Sequence, residues 1–261
     1  MNHASLFSGI GGFDLAAEWV GWNNIFHCEW NPFGQRVLKH HFPNSISYND
    51  ITKTDFTIHR REIDILTGGF PCQPYSSTGK RLGKADERHL FPEMLRAIKE
   101  IRPSWVIGEN VRGLISWNGG MVFDEVCADL EGEGYEVQPF IIPAASVNAQ
   151  HQRQRIWFVA RQNNAANPFG FRLEGEKTNG NLAGQKRFRK YNIKALYTGQ
   201  GGTTESPICG QNDGLPRTLD RITFPKWRIE SVKAYGNAIV PQVAFEIFKT
   251  IITFEKQLKN Q

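Results

Sequence analysis

Short apolar runs alternate with helix-period segments through the first two-thirds of the chain, and no other feature restricts the fold as much. Strand-like runs fall at residues 4–8, 24–29, 63–67, 105–109, 137–143 and 156–161. Helical spacing occupies 13–20, 32–41, 91–101 and 122–131. Such alternation predicts a doubly wound α/β domain whose mostly parallel sheet is covered on both faces. Sheets of this kind bind ligands outside the carboxyl ends of their strands. The residues that close each strand therefore carry the functional question.

Residues 163–216 break the pattern. They are rich in Gly, Asn, Thr and Lys and include the basic string Lys186-Arg187-Phe188-Arg189-Lys190. Amphipathic helical spacing returns at 240–254. The net charge of +5 is compatible with a polyanionic partner without requiring one. The four cysteines, Cys28, Cys72, Cys127 and Cys209, form no CxxC pair, which argues against a zinc site or a disulfide framework. No signal-peptide pattern opens the chain, and its apolar runs fall short of a membrane span, so a cytoplasmic location without membrane contact is expected.

The first strand leads into Phe7-Ser8-Gly9-Ile10-Gly11-Gly12, a glycine-rich turn that lets backbone approach a ligand closely. Glu29 closes the second strand 20 residues after Gly9, the spacing of an acid that accepts bonds from ribose hydroxyls. Trp30 beside it can stack on a purine, and Asp50 follows a shorter strand-like stretch. Glycine turns are common and acids at strand ends often cap helices, so each element alone is weak; their alignment is stronger.

The next strand runs into GGFPCQPYS, where one cysteine stands between two prolines. Burial of a thiol needs only apolar neighbours. Fixed proline φ angles after a glycine pair are a device for aiming a side chain. Glu109 ends the strand after that, where partial burial would raise its pKa and let it hold or pass a proton. Arg153 and Arg155, two apart before the last strand, are expected on one face of an extended segment. They suit a solvated edge or the capture of a phosphate or base carbonyl.

In chain order, SLFSGIGGFDLA, CEWNPF with Asn49-Asp50-Ile51, GGFPCQPYS, Arg88-His89-Leu90-Phe91, Glu109-Asn110-Val111, the Arg153/Arg155 pair and YGNAIVP resemble the motifs of DNA (cytosine-5) methyltransferases of the restriction-modification or phage type. The match covers most of the chain, and PCQ with ENV at this spacing is highly specific. The resemblance implies a Rossmann-like methyltransferase fold: a catalytic, cofactor-binding domain at 1–162, a small irregular target-recognition region at 163–230, and a C-terminal motif and helix at 231–261 packed back on the catalytic domain. It implies S-adenosylmethionine as cofactor, held by Phe7, Gly9, Gly11, Glu29, Trp30, Asp50, Ile51, Pro71, Leu90 and Asn237, and no metal.

By the same resemblance Cys72 adds to carbon 6 of a flipped-out cytosine in duplex DNA, and Glu109 contacts ring nitrogen 3 and the exocyclic amine. Arg155 holds the base carbonyl, and Arg153 supports the loop or the phosphates. Gln73, Ser76, Thr78, Lys80 and Arg81 belong to a loop that closes over the nucleotide, with Lys186, Arg187, Arg189 and Lys190 on the DNA backbone. A monomer is implied, partnered in function by a restriction endonuclease acting on the same site.

Three departures stand out. His151 replaces a glutamine common in the family, the recognition region is short, and 217–228 shows no clear counterpart of the helical motif that closes that region. Two alternatives stay open: a tRNA cytosine-5 methyltransferase on the same core, and a non-catalytic DNA-binding protein that keeps the fold.

Overall fold

A computed structural model describes residues 1–71, 90–163, 194–195 and 225–260, with backbone alone at 194–195 and 225–228. Among these residues, eight strands form one sheet: β1 Asn2–Leu6, β2 Asn23–Cys28, β3 Ile46–Tyr48, β4 Ile65–Gly68, β5 Trp105–Val111, β6 Tyr135–Pro143, β7 Gln154–Gln162 and β8 Lys194–Ala195. Their spatial order is β3-β2-β1-β4-β5-β7-β6-β8. Six helices accompany them: α1 Gly12–Trp19, α2 Pro32–His41, α3 Phe91–Ile101, α4 Met121–Gly132, α5 Pro225–Asn237 and α6 Pro241–Lys259.

Strands β1 to β5 pair in parallel, as the alternation predicts. Strand β7 runs antiparallel to both β5 and β6. Residues 144–153 connect β6 to β7 with a single short helical turn, Ala144–Val147. A parallel crossover needs a dozen or more residues, usually with a helix, so this link can only turn the chain back.

Side chains alternate between two cores because successive strand residues face opposite ways. Leu66, Val106, Ile156 and Phe158 join Met94 and Ile98 of α3 and Phe123 and Val126 of α4 on one face. Ile65, Ile107 and Trp157 point to the other, onto Phe13 of α1 and Val243, Phe248 and Ile251 of α6. Trp22 stacks on Phe248 with ring centroids 4.5 Å apart, and the Trp105 indole N–H donates to Glu255 at 3.0 Å. The C-terminal helix is thus a structural layer of the domain.

Helix α5 starts at Pro225, within the stretch 217–228 where no clear counterpart of the closing helical motif is legible, and runs across the expected boundary at residue 231 to Asn237. Among its described side chains, Ile229, Val232 and Tyr235 are exposed and Ser231 is buried. The two-residue β8, inside the expected recognition region, pairs with β6.

Candidate active site

The strand order reverses between β1 and β4, so their carboxyl ends flank the crevice where doubly wound sheets bind ligands. The turn after β1 is built on positive φ angles at Phe7 (52°), Gly9 (59°) and Gly11 (85°). Phe7 holds a conformation disfavoured for L-residues, an outlier of the kind that clusters at functional sites. Ser8 ties the turn to β2: its N–H and its hydroxyl both donate to the Cys28 carbonyl, at 3.1 and 3.2 Å.

Glu29 is fixed under this turn. Its two carboxylate oxygens accept from the Gly9 N–H at 2.6 Å and the Asn31 N–H at 2.8 Å. Burial raises its pKa, opposed by those two hydrogen bonds. Gly34, in the first turn of α2, makes the arrangement possible. A Cβ there would lie 2.5 Å from the Gly9 carbonyl oxygen and 2.9 Å from Glu29 Cγ. A carboxylate has about four acceptor positions, so two bonds leave room for hydroxyl donors.

Trp30, next to Glu29, is 71% exposed and free to stack on a flat ring. Asp50 follows β3 at the same edge, where Oδ1 accepts from the Thr52 N–H and hydroxyl and Oδ2 faces Lys53. These partners, the Thr52 hydroxyl first, lower its pKa and keep it ionised. Ile51 is buried, with its carbonyl bound by Arg96. Pro71 follows β4, and Leu90 caps α3.

The chemistry-bearing cluster lies across β4, β5 and β7. Because β7 is antiparallel, its first residues come beside the end of β5, with Arg155 opposite Val111. Arg155 Nε lies 3.0 Å from Glu109 Oε1. Glu109 is buried, and its pKa is raised to about 7: burial disfavours the carboxylate by more than Arg155 and Arg153 favour it. A carboxyl group so placed can hold a proton near neutral pH.

Asn110, beside it, is also buried and donates from Nδ2 to the Phe70 carbonyl at 3.1 Å. This bond anchors the chain just before Pro71. Gly69 lets that chain pass close, since a Cβ there would stand 3.3 Å from Glu109 Oε2. The Phe70 ring packs on Phe91, the first residue of α3, with centroids 5.1 Å apart. Both stems of segment 72–89 are therefore joined at their base.

Arg153 departs from the expected arrangement. Its φ of 27° breaks the extended backbone, so the two arginines do not share a face by simple alternation. Its guanidinium donates to the carbonyls of Gly236 and Ala238 at 2.8 and 2.6 Å, clasping the exposed Asn237 between them. Ile239 then packs against the glycine turn, where a Cβ on Gly12 would meet its Cγ1 at 2.7 Å. Burial lowers the Arg153 pKa. His151 and Arg153 border an adjoining cavity of about 330 Å³ with Gly11, Gly12, Tyr235 and Ile239.

The sequence pattern singled out neither Asn110 as an anchor nor Gly34 and Gly12 as contact points. Asn110 had a signal, its place beside Glu109 in the ENV motif; the glycines had none beyond their identity. Cys72, Gln73, Ser76, Thr78, Lys80, Arg81, Lys186, Arg187, Arg189, Lys190 and Cys209 lie outside the described residues. Cys28 and Cys127 are buried, and burial pushes both thiols up, Cys28 to about 12, so neither is a ready nucleophile. Among the described residues no His, Cys, Asp and Glu cluster could hold a metal ion, and no helix is long and apolar enough to cross a membrane.

The family model for C-5 cytosine-specific DNA methylases matches residues 1–204. The chain belongs to this family. Among curated relatives, the C-5 methylase chain is 35% identical to the type II methyltransferase M.Eco47II of Escherichia coli over 62% of its own length and 39% of that protein's. With M.PspPI of Psychrobacter it is 38% identical over 59% and 38% of the two chains. With M.BsuFI of Bacillus subtilis the figures are 33% identity over 86% and 54%. The chain thus spans about half, or less, of the length of these relatives.

Solved structures agree on the fold. A prophage-encoded E. coli DNA modification methyltransferase superposes with TM-score 0.53 at 24% identity, over 62% of this chain and 47% of that one. The S. pombe Dnmt2 methyltransferase does so with TM-score 0.51 at 21% identity, over 63% and 51%. The family core is the Rossmann-like methyltransferase sheet described above.

Proposed function

We propose that this chain transfers a methyl group from S-adenosylmethionine to carbon 5 of cytosine in duplex DNA. The observation that carries the reading is the pairing of the buried Glu109 with Arg155, set beside the Asn110-anchored stem that leads into Pro71-Cys72. The glycine turn, Glu29 and the exposed Trp30 fit a nucleoside-bearing cofactor, within a cradle that a Cβ at Gly34 would fill. When bound, S-adenosylmethionine supplies the methyl group that carbon 5 takes up.

In this reading the Cys72 thiolate forms a bond to carbon 6 of the flipped base, and electron density moves to carbon 5. Glu109, with a carboxyl that titrates near 7, gives a proton to ring nitrogen 3 as that charge develops. Arg155 neutralises the carboxylate and faces the base carbonyl. After methyl uptake the carbon 5 proton passes to solvent, its electron pair re-forms the ring double bond as the Cys72–carbon 6 bond breaks, the thiolate returns, and ring nitrogen 3 gives its proton back to Glu109. Arg153 keeps Asn237 and the glycine turn in register rather than meeting phosphate. Residues 163–230 with Lys186, Arg187, Arg189 and Lys190, together with the 72–89 loop, contact the DNA. The enzyme works as a monomer, alongside an endonuclease that cuts the same sequence.

Incubation with labelled S-adenosylmethionine and either duplex DNA or tRNA tests the reading. Label should appear in DNA at carbon 5 of cytosine, and a duplex bearing 5-fluorocytosine should be trapped covalently. Cys72→Ala should abolish transfer while cofactor affinity stays near that of the parent. Transfer by Cys72→Ala would sink the mechanism. Labelling of tRNA alone would favour the tRNA enzyme, and no transfer to either substrate a non-catalytic role.

A further inference from the structure

A second recess opens at the opposite, amino-terminal edge of the sheet. It encloses about 320 Å³ and is lined by Arg60, Arg61, Asp64, Arg102, Ser104 and Gln162. Asp64 precedes β4, Ser104 precedes β5 and Gln162 ends β7, so three strands of the sheet form its floor. Backbone bonds fix the rim: Arg61 N–H to the Ile101 carbonyl at 2.8 Å, Trp105 N–H to Asp64 at 2.9 Å, and Gln162 N–H to Ser104 at 2.8 Å. Ser104 stands five residues before Glu109, roughly 16 Å along an extended chain, so the recess is separate from the active site.

Its charge is only partly compensated: three arginines line it against Asp64, with Glu133 beside Arg102. The acids around it are engaged elsewhere: Glu62 lies 2.6 Å from the His59 ring, and Glu100 accepts from Arg96 and the Phe56 N–H. Glu133 pairs with Lys99 at 3.0 Å and only distantly with Arg102, at 3.7 Å. Asp64, the one acid in the lining, accepts the Asn2 N–H at 2.7 Å. The bland account makes these arginines caps for helix ends. It covers Arg60, which donates to the Lys99 and Glu100 carbonyls in the last turn of α3, and Arg102, which donates to the Glu133 carbonyl beyond α4. It leaves out Arg61, which pairs with no carboxylate among the described residues. Arg61 also holds a φ of 62°, which glycine adopts freely and L-residues rarely do.

We propose that this recess binds a small phosphate-bearing anion, with Arg61 as the principal contact. A guanidinium fork matches tetrahedral oxyanions and donates two parallel bonds to them. Arg60 and Arg102 add charge at the rim, and the Ser104 hydroxyl and Gln162 amide offer neutral donors. The volume is that of a compact ligand, at the small end of ligand sites. This site is independent of methyl transfer.

The test titrates inorganic pyrophosphate into the full chain by calorimetry at constant ionic strength. One saturable site is expected in the parent protein. R61G removes the guanidinium and at the same time relieves the left-handed backbone, so it should melt no lower than the parent. Its affinity should fall about tenfold or more, the loss of a charge-assisted contact. Should R61G melt lower, R61Q decides in the same titration. Absence of saturable binding in the parent, or affinity retained on loss of the Arg61 guanidinium, overturns the proposal.

Discussion

Glu109 and Arg155 meet at 3.0 Å because their strands run in opposite directions: the end of β5 and the start of β7 share one edge of the sheet. Were β7 parallel, its first residues would lie at the far edge. The antiparallel strand is what brings a late-sequence cation to an acid that closes an early strand. Glu109 is buried and Arg155 half-buried, so the acid depends on its partner.

Arg155→Gln should therefore destabilise the protein in a pH-dependent way. Glu109 titrates near 7 with Arg155 in place, and loss of that cation moves it higher. At pH 6 the carboxyl is largely protonated with or without the arginine, and little stability is lost. At pH 8, one unit above the parent's Glu109 pKa, an unpaired carboxylate is buried or a proton must be taken up against the bulk pH, at an added cost of about 1.4 kcal/mol. Urea denaturation at the two pH values measures the difference. Adding Glu109→Gln to the variant should restore most of the loss at pH 8; an equal loss at both pH values would show that packing, not charge, is what Arg155 supplies.

Much of this was legible in the sequence, because a parallel sheet buried on both faces writes its strands as apolar runs. All six expected strands lie within two residues of the observed ends, and the helices 32–41 and 91–101 match at both. The ends of those strands in turn announced Glu29 and Glu109. What was not legible depends on contacts between distant segments. Arg153 looks like half of a phosphate-binding pair, yet its backbone turns it to the Gly236 and Ala238 carbonyls. Among its described side chains, helix α5 buries Ser231 and exposes Ile229, an arrangement that apolar periodicity does not announce. The need for glycine at position 34 exists only once β1 and α2 are side by side.

Asn110→Ala removes the side-chain donor that, among the described residues, holds the Phe70 carbonyl. A buried carbonyl left without its partner costs about 1–2 kcal/mol. The same bond orients the stem leading to Cys72, so the rate of methyl transfer should fall well beyond what lost stability explains, with cofactor affinity close to the parent's. Single-turnover rates and calorimetry on the same preparation separate the two. Equal losses in both would mean that Asn110 supports the fold alone.

Gly34→Ala tests whether α2 must touch the glycine turn. The added methyl would stand 2.5 Å from the Gly9 carbonyl, which is backbone and cannot swing aside. Helix α2 would have to retreat, at about 1–3 kcal/mol. Glu29 would lose its alignment with the Gly9 N–H, so S-adenosylmethionine affinity should drop more than tenfold, a threshold of about 1.4 kcal/mol. Alanine is otherwise the better helix residue, so any gain in stability would show that the contact is slack.

Asp14 supplies a prediction about pH that does not involve the reacting groups. It lies fully buried beneath the glycine turn, and both carboxyl oxygens accept from the Ser5 hydroxyl, at 2.9 and 3.0 Å. The Ser5 and Ser8 hydroxyls are 2.7 Å apart, and Ser8 in turn bonds to Cys28 across the turn. Burial raises the Asp14 pKa from 3.8 to about 7, against the opposing pull of the Ser5 hydrogen bond. The folded state therefore holds a proton more tightly than the unfolded chain. The associated stability is fully present below the unfolded pKa and is lost as pH rises through about 7. Glu109 adds a loss of the same sign, so the comparison must be with a variant at Asp14 alone. Asp14→Asn keeps an acceptor for Ser5 without the charge. Parent and variant should differ little near pH 4, and by pH 8 the variant should be the more stable by about 4 kcal/mol, from roughly three pKa units at 1.36 kcal/mol each. Because the chain of hydroxyls ends at the turn proposed to hold the cofactor, parent affinity for S-adenosylmethionine should also weaken between pH 6 and 8 while that of Asp14→Asn holds steady. Parallel stability profiles across this range would mean that Asp14 is already ionised in the folded protein, with Ser5 and the backbone carrying its charge.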